Sequence, residues 1–317
     1  MKPNQQLAET FVNKADMVIA DVTGGGRLQP EMLKKYIVVQ IKKSVMMKHI
    51  TVTTINTPEY KMPKMTTMGE VMQPGTSGQA LAYAERSKPG LTEVTLTSQL
   101  CRAEVDYPEE VLEDQIERGV FAKTMAAYCA VHSEKDIEKA MIYGDPAGTG
   151  YTAWMKLFTG FLTASTSYVT AAAGASLGAD ILSDLMETRL EEFDDDGNDA
   201  FYTNRRARSD YRKSLKNRGT PMGDAIIEGS AGKELGYEDV PLRKVPYFPN
   251  ALGLATNQTN VWYGNARQII LAYYRKMKVH SDFQPKAGKY SLIINMRLAM
   301  GIEHEPACAK ASQVRGS

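Results

Sequence analysis

The sequence has few cysteines, histidines and tryptophans, and their scarcity excludes several classes of protein. Among 317 residues there are three cysteines, four histidines and two tryptophans. Cys101, Cys129 and Cys308 cannot form a disulfide framework, and no two of them have the spacing of metal ligands. We therefore expect reduced thiols in an intracellular protein, with no metal and no cofactor.

An excess of charge and a long apolar run are also missing. The chain has 38 Lys and Arg residues against 37 Asp and Glu, which removes the simplest argument for a dedicated nucleic-acid-binding protein. No basic segment followed by an apolar core begins the chain. The uncharged stretch Leu157–Ala175 contains too many Ser and Thr residues for a membrane-spanning helix. We expect a soluble protein of about two domains that does not contact a membrane.

The first half of the chain contains helical and strand-like periods. Two helical stretches within residues 1–48 are separated by three glycines, Gly24–Gly26. Ile50–Ile55 is β-branched at nearly every position and Thr92–Val105 alternates, so both are predicted strands. Pro108 opens a predicted helix of roughly 35 residues that ends near Ile142, several times the mean helix length.

The second half mixes shorter elements. The predicted helices are Ala179–Phe193 and Arg205–Leu215. The predicted strands are Ala200–Thr203, Val240–Tyr247, Val261–Tyr263, Ile269–Val279 and Tyr290–Met300. Helices and strands are interspersed in this half, and the fold class expected for the whole chain is α+β.

The segment from Lys61 to Gly90 has neither a helical nor a strand-like period, and it is rich in Gly and Pro. Connections longer than ~15 residues are usually functional or disordered, and a two-stranded ribbon alone is marginally stable. Two interpretations remain, a disordered loop or an extended arm that a neighbouring molecule supports, and the strand-like flanks favour the arm. The candidate contact residues are Met65, Met68, Met72, Gly75, Gly78, Leu81 and Tyr83.

No catalytic pattern stands out. Cys101 with His132 could supply a nucleophile and a base, and Glu303–Glu305 near Cys308 could hold a ligand. Neither spacing matches a known motif. We do not expect an enzyme, and predict no catalytic, cofactor-binding or metal-binding residues.

Positive charge is concentrated in two places. Seven Lys and Arg residues lie between Asn204 and Arg218 with one acid, Asp210, and eight lie in the first 50 residues with four acids. Such patches attract polyanions through counterion release. The alternatives are a solvated face, or pairing with the acidic segment Glu187–Asp199 of a neighbour.

The order of these parts is the most informative feature. LTSQLCRAEVDYPEEVLEDQIER leads into the long helix, YGDPAGTG ends it, and VWYGNARQIIL and KYSLIINMRLAMGIEHEPACAKA lie in the closing part. The arrangement resembles the major capsid proteins of tailed double-stranded DNA phages, which have the Hong Kong 97-type fold. The resemblance implies an N-terminal arm over residues 1–48 and an extended E-loop, strands and spine helix of a peripheral domain over 49–149. It implies an axial domain over 150–265 and the closing strands of the peripheral domain over 266–317.

The resemblance also implies a function. The chain would assemble as hexamers and pentamers into an icosahedral phage head around double-stranded DNA, with the E-loop candidates over an adjacent subunit. Lys34, Lys35, Lys42 and Lys43 would face the DNA. Because the chain enters the arm directly, either a separate scaffolding protein or none is expected. A portal and a decoration protein are further expected partners. The protein would be found in the virion after assembly in the host cytoplasm. The alternatives are an encapsulin-type compartment shell and, more remotely, a soluble oligomeric enzyme.

Overall fold

The computed structural model describes residues 45–66, 71–75, 78–82, 86–87, 90–110, 121–149, 151–193, 198–216, 235–250 and 257–315. The two helices predicted before residue 45 lie outside these ranges. The described strands form a four-stranded sheet, a six-stranded sheet and a separate two-stranded ribbon.

The four-stranded sheet has the order β1, β10, β11, β4. Its strands are β1 (Thr51–Thr54), β4 (Gln99–Pro108), β10 (Ile269–Gln284) and β11 (Lys289–Ile302). β1 runs parallel to β10, and the other two pairings are antiparallel. Along β11 Leu292, Ile294, Met296 and Leu298 are buried. This period of two is the one expected of a strand that buries one face.

A long helix packs on this sheet. Helical backbone is found at Glu109–Glu110, directly after β4, and in α1 (Phe121–Tyr143). Residues 111–120 lie outside the described ranges. Ile137, Ala140 and Met141 share a core with Leu271 of β10. Ala127 and Val131, whose helical spacing predicts an apolar face, are exposed, so only the end of the helix is buried against the sheet.

The end of α1 is a close contact between two glycines. The N–H of Gly160 donates to the carbonyl of Gly144 at 2.8 Å. A Cβ atom on Gly160 would lie 2.5 Å from the Gly144 nitrogen, which leaves no room for a side chain. The predicted turn after the helix is therefore also a packing site.

The six-stranded sheet has the order β5, β12, β9, β6, β8, β7. Its strands are β5 (Tyr168–Ala171), β6 (Asp199–Thr203), β7 (Gly236–Tyr237), β8 (Val240–Lys244), β9 (Gln258–Asn265) and β12 (Ala309–Arg315). The short helix α2 (Phe161–Ala164) precedes it. On one face Tyr202 and Trp262 join the core that also contains the four-stranded sheet.

The opposite face of the six-stranded sheet carries two helices. α3 (Ala179–Thr188) and α4 (Arg205–Lys216) pack over Phe201 and Tyr263, the neighbours of Tyr202 and Trp262 along β6 and β9. Alternate residues of a strand point to opposite faces, so each strand contributes to both cores.

Two predictions about how strands are grouped differ from the structure. The single strand Thr92–Val105 is two strands, β3 (Gly90–Thr97) and β4, which belong to different sheets. They separate at Ser98, whose N–H donates to the Pro58 carbonyl at 2.8 Å. An alternating pattern continues through such a change of partner, so the sequence does not mark it. β12, expected with the closing strands of residues 266–317, lies in the six-stranded sheet instead.

The predicted helix Ala179–Phe193 ends early, because Arg189 turns inward. Its backbone is extended and its side chain is completely buried. The guanidinium donates to Asp199 Oδ2 at 2.5 Å and to Tyr263 Oη at 2.9 Å, and Nη1 donates to the Ala307 carbonyl at 3.3 Å. The end of α3, two strands and the turn before β12 therefore meet at one cation.

Removing the counter-charge tests the importance of this cation. We expect Asp199→Ala to lower the free energy of unfolding by about 3–5 kcal/mol, because it leaves a buried guanidinium without its carboxylate. Denaturant unfolding of the unassembled subunit measures this. Asp282→Ala, at an exposed position on β10, should change the value by less than ~0.5 kcal/mol. Equal losses in the two variants would contradict this role of the ion pair.

Candidate assembly surfaces

The two-stranded ribbon is formed by β2 (Glu59–Thr66) and β3. The strands are antiparallel, with Glu59 opposite Thr97 at the base and Thr66 opposite Gly90 at the far end. In the part of the chain that the structure describes, neither strand joins a larger sheet. A two-stranded ribbon is thus present at the two ends of the segment that was predicted to form a hairpin.

The base of the ribbon is anchored in a small apolar core. Met62 and Leu96 are buried with Ile55, Ile270 and Ala299. Along the same stretch, Lys61 and Glu93 form an exposed diagonal cross-strand pair with 3.0 Å between Nζ and Oε1. Exposed pairs of this kind contribute less than about 1 kcal/mol, so the apolar base determines the direction of the ribbon.

One glycine makes room for this anchor. A Cβ atom at Gly301 of β11 would lie 2.3 Å from Leu96 Cδ2. Leu96 therefore rests directly on the backbone of β11, and any side chain at position 301 would displace it. Gly301 was not identified from the sequence, where it is a single glycine within a strand pattern and only suggests a close backbone approach.

The far end of the ribbon exposes apolar side chains. Met65 and Leu91 lie opposite each other across the strands, 68% and 74% exposed. Met72 is 88% exposed and Leu81 is 38% exposed. Of the other candidate residues, Gly75 and Gly78 have open space where a Cβ atom would lie, and Met68 and Tyr83 lie outside the described residues. Exposed apolar side chains at the end of an anchored ribbon are typical of an interaction surface.

A second anchor lies where residues 1–44 join the described chain. Glu138 of α1 is completely buried and accepts hydrogen bonds from the N–H groups of Val45 and Met46, at 3.2 and 3.1 Å. The short 3-10 helix Met46–Lys48 begins there. The carboxylate satisfies two backbone donors that have no partner within that helix. The candidate lysines Lys34, Lys35, Lys42 and Lys43 precede this anchor and lie outside the described residues.

The thiols do not have the environment of nucleophiles. Burial raises the pKa of Cys101 and of Cys308 to about 12, so both are protonated near neutral pH. Cys101 Sγ is 3.6 Å from the Gln99 carbonyl, whereas the His132 ring makes a tilted contact with the Tyr128 ring, 4.4 Å between centroids. The structure therefore does not bring Cys101 and His132 together as a nucleophile and base.

The segment Glu303–Cys308 forms hydrogen bonds to another part of the fold. Glu305 accepts hydrogen bonds from the N–H groups of Thr166 and Ser167 at 2.6 and 2.7 Å, and from the Ser167 hydroxyl. Burial alone would raise the pKa of Glu305, but these hydrogen bonds lower it below its usual value. The described residues contain no group of three or more His, Cys, Asp or Glu side chains that could hold a metal ion.

The basic helix is confirmed as α4, with Arg205, Arg206, Arg212, Lys213 and Lys216 all exposed. Lys213 Nζ is 3.5 Å from Asp210 Oδ1. Arg218 lies outside the described residues. Within the part of the chain that is described, no helix is long and apolar enough to cross a membrane.

The fold is that of phage-type capsid proteins. Superposition on the capsid of a native GTA particle gives a TM-score of 0.65 at 15% identity, covering 95% of this chain and all of that one. Superposition on the capsid of Myoviridae phage XM1 gives a TM-score of 0.62 at 11% identity, covering 95% of this chain and 100% of that one. The fold predicted from the order of elements is confirmed.

A curated relative supports the same conclusion. The prophage capsid protein YqbE of Bacillus subtilis strain 168 is 22% identical over 318 residues, which cover 97% of this chain and 99% of that protein. No protein-family model matches the sequence. The fold and this relative together confirm the prediction of a major capsid protein of the phage class.

The encapsulin alternative has the same fold. The holo-SrpI encapsulin complex of Synechococcus elongatus PCC 7942 gives a TM-score of 0.59 at 13% identity, covering 96% of this chain and 97% of that one. Fold comparison alone does not separate the two classes. The curated relative is a prophage capsid protein, so the encapsulin interpretation is the weaker one.

Crowding at Gly301 gives a prediction for the ribbon anchor. We expect Gly301→Val to lower the free energy of unfolding by about 1–3 kcal/mol, because the added side chain overlaps Leu96. Leu96→Ala in the same chain removes the overlap, so the double variant should lose less than the sum of the two single variants. Thermal unfolding of the unmodified chain, the two single variants and the double variant measures these losses. Additive losses would show that residues 96 and 301 do not press on each other.

Proposed function

We propose that this capsid protein assembles as hexamers and pentamers into an icosahedral phage head that encloses double-stranded DNA. The observation that carries the proposal is the ribbon, which has an anchored base and an exposed apolar end. Met65 and Leu91 cannot be buried by a two-stranded ribbon alone. A neighbouring subunit would bury them, so the ribbon is proposed to act as the E-loop.

The energetics suit a closed shell. Burying an apolar side chain of the size of Met or Leu contributes about 1.5–3 kcal/mol, which is too little to hold two subunits together against the entropy of association. In a closed symmetric assembly each subunit makes the same contact with several neighbours, so weak contacts act together. The anchored base supports this function because it limits the directions in which the ribbon extends before assembly.

The N-terminal residues are proposed to face the packaged DNA. Glu138 fixes the chain at Val45 and Met46, so the preceding arm begins at a defined point beside α1. Lys34, Lys35, Lys42 and Lys43 would then bind the polyanion without reading its sequence. A separate scaffolding protein, a portal and a decoration protein are the further partners we propose, with assembly in the host cytoplasm and the mature protein in the virion.

We further propose that the chain is not an enzyme. The side chains considered as nucleophile, base and ligands have structural partners, and both fully buried thiols are held protonated. These observations support a structural role for the residues concerned.

A shortened ribbon tests the proposal. Joining Thr66 to Gly90 through Asn-Gly, a favoured two-residue hairpin turn, removes residues 67–89 and leaves the anchored base intact. We expect a folded subunit that forms no shells, because its contact with the neighbour is lost. Negative-stain microscopy and size-exclusion chromatography, with and without a scaffolding protein, measure assembly.

Point variants separate the apolar contact from ribbon length. Met65→Ser with Leu91→Ser should also reduce shell formation, whereas Leu157→Ser with Val279→Ser, exposed apolar positions outside the ribbon, should not. Shells of normal yield from the shortened ribbon would exclude the proposed role.

The contents of the shell test the DNA contact. Replacing Lys34, Lys35, Lys42 and Lys43 by Gln should weaken DNA retention in filled particles more than it weakens assembly, because the salt-sensitive phosphate contacts are lost. Nuclease-protected DNA per particle, measured over a series of salt concentrations, reports the effect. Unchanged retention would assign these lysines to a solvated face, and particles filled with protein would favour an encapsulin.

A further inference from the structure

Two helices of opposite charge lie on one face of the six-stranded sheet. α3 packs against β5 and β12, and α4 packs against β8 and β12. Because β5 is at one edge of the sheet and β8 lies next to the strand at the other edge, the two helices are displaced towards opposite sides of the same face.

The exposed charges at α3 are all negative. The exposed acids lie on the helix itself and on the 3-10 turn Glu191–Phe193 that follows it. They are Asp180, Asp184, Glu187, Glu191 and Glu192. The one cation of this segment, Arg189, is buried and paired with Asp199. We name this surface the acidic face.

The exposed charges of α4 are all positive. Asp210, the only acid of the helix, is largely buried and lies beside Lys213. Arg205, Arg206 and Lys216 are exposed and form no ion pair with any residue that the structure describes. We name this surface the basic face.

Helix stability does not explain several of these charges. A helix favours acids in its first turn and bases in its last turn. Arg205 and Arg206 occupy the first turn of α4, and Glu187 lies at the end of α3. These three charges oppose the helix dipole, and an ion pair with a neighbouring subunit would offset that cost.

We propose that the acidic face of one subunit binds the basic face of the next around the axis of a capsomer, which rests on the proposed assembly of this chain into hexamers and pentamers. The occupant of each face is a second copy of the chain. A contact between two different faces is heterologous, and repeated rotation by a fixed angle closes it into a ring. The placement of α3 and α4 towards opposite sides of the sheet suits such a head-to-tail contact.

Packaged DNA fits this surface less well than a second copy does. A polyanion drawn to α4 would also meet the carboxylates of α3 on the same side of the sheet, and like charges repel it. A partner that carries both signs satisfies both helices at once. Interface charges act mainly on orientation and specificity, which a ring of identical subunits requires.

A charge exchange tests the pairing. Arg205→Glu with Arg206→Glu makes the start of α4 acidic, and Glu187→Lys with Glu191→Lys makes the acidic face basic. The changes at Arg205, Arg206 and Glu187 agree with the helix dipoles, so the helices should stay folded. We expect each double variant to lose shells and rings, and the quadruple variant, in which the two faces are exchanged, to regain them. Native mass spectrometry and negative-stain microscopy of the full chain measure both products.

The control is Lys276→Glu with Lys278→Glu, which makes the same change of net charge as the Arg205→Glu, Arg206→Glu variant, at exposed positions on β10, and should leave assembly intact. Shells from either double variant, or a quadruple variant that stays unassembled, would overturn the pairing. Intact shells that lose DNA in the α4 variant would show that α4 faces the genome instead. If the unmodified chain forms no capsomers at all, the proposed function fails and the pairing fails with it, whereas normal assembly of the unmodified chain isolates the pairing.

Discussion

The structure depends on one core that joins the two sheets. Trp262 of β9 is completely buried, its ring centroid lies 5.2 Å from Phe161 and 5.6 Å from Tyr202, and its indole N–H donates to the Ser165 hydroxyl at 3.1 Å. The same core contains Leu271, Ile294 and Met296 of the four-stranded sheet and the end of α1. A buried tryptophan with its polar atom satisfied contributes both area and orientation. The sheets are therefore held in a fixed relation, and the surfaces they carry are fixed with them.

The features proposed for assembly lie outside this core. The ribbon extends from the four-stranded sheet at the point where Leu96 packs on the backbone of Gly301. The two charged helices cover the face of the six-stranded sheet that is opposite to this core. The proposed contacts have different physical characters. The ribbon provides apolar area without much selectivity, whereas the two charged faces provide orientation. A subunit with both can bind a neighbour firmly and in one arrangement.

Much of the fold could be predicted from the sequence. The periods of α4, β10 and β11 are strong, and a two-stranded ribbon is present at the two ends of Lys61–Gly90. The change of partner at Ser98 and the position of β12 in the other sheet could not be predicted, because alternation does not identify the neighbouring strand. Gly301 and Glu138 were missed for a similar reason. Their importance comes from Leu96 and from Val45, which are distant in the sequence, and a single sequence does not contain that pairing.

The near-neutral charge of the chain has a local explanation. A balance of 38 cations and 37 acids suggests a protein without electrostatic function if the charges are mixed evenly. In the structure they are separated, with acids exposed on α3 and cations exposed on α4. Separation on one face leaves exposed charges of one sign in each patch, and in the proposed pairing a second subunit would supply the opposite sign. A protein that binds copies of itself in this way must carry the two signs in comparable amounts on the contacting faces. Overall neutrality is therefore compatible with, and expected from, an electrostatic contact between identical chains.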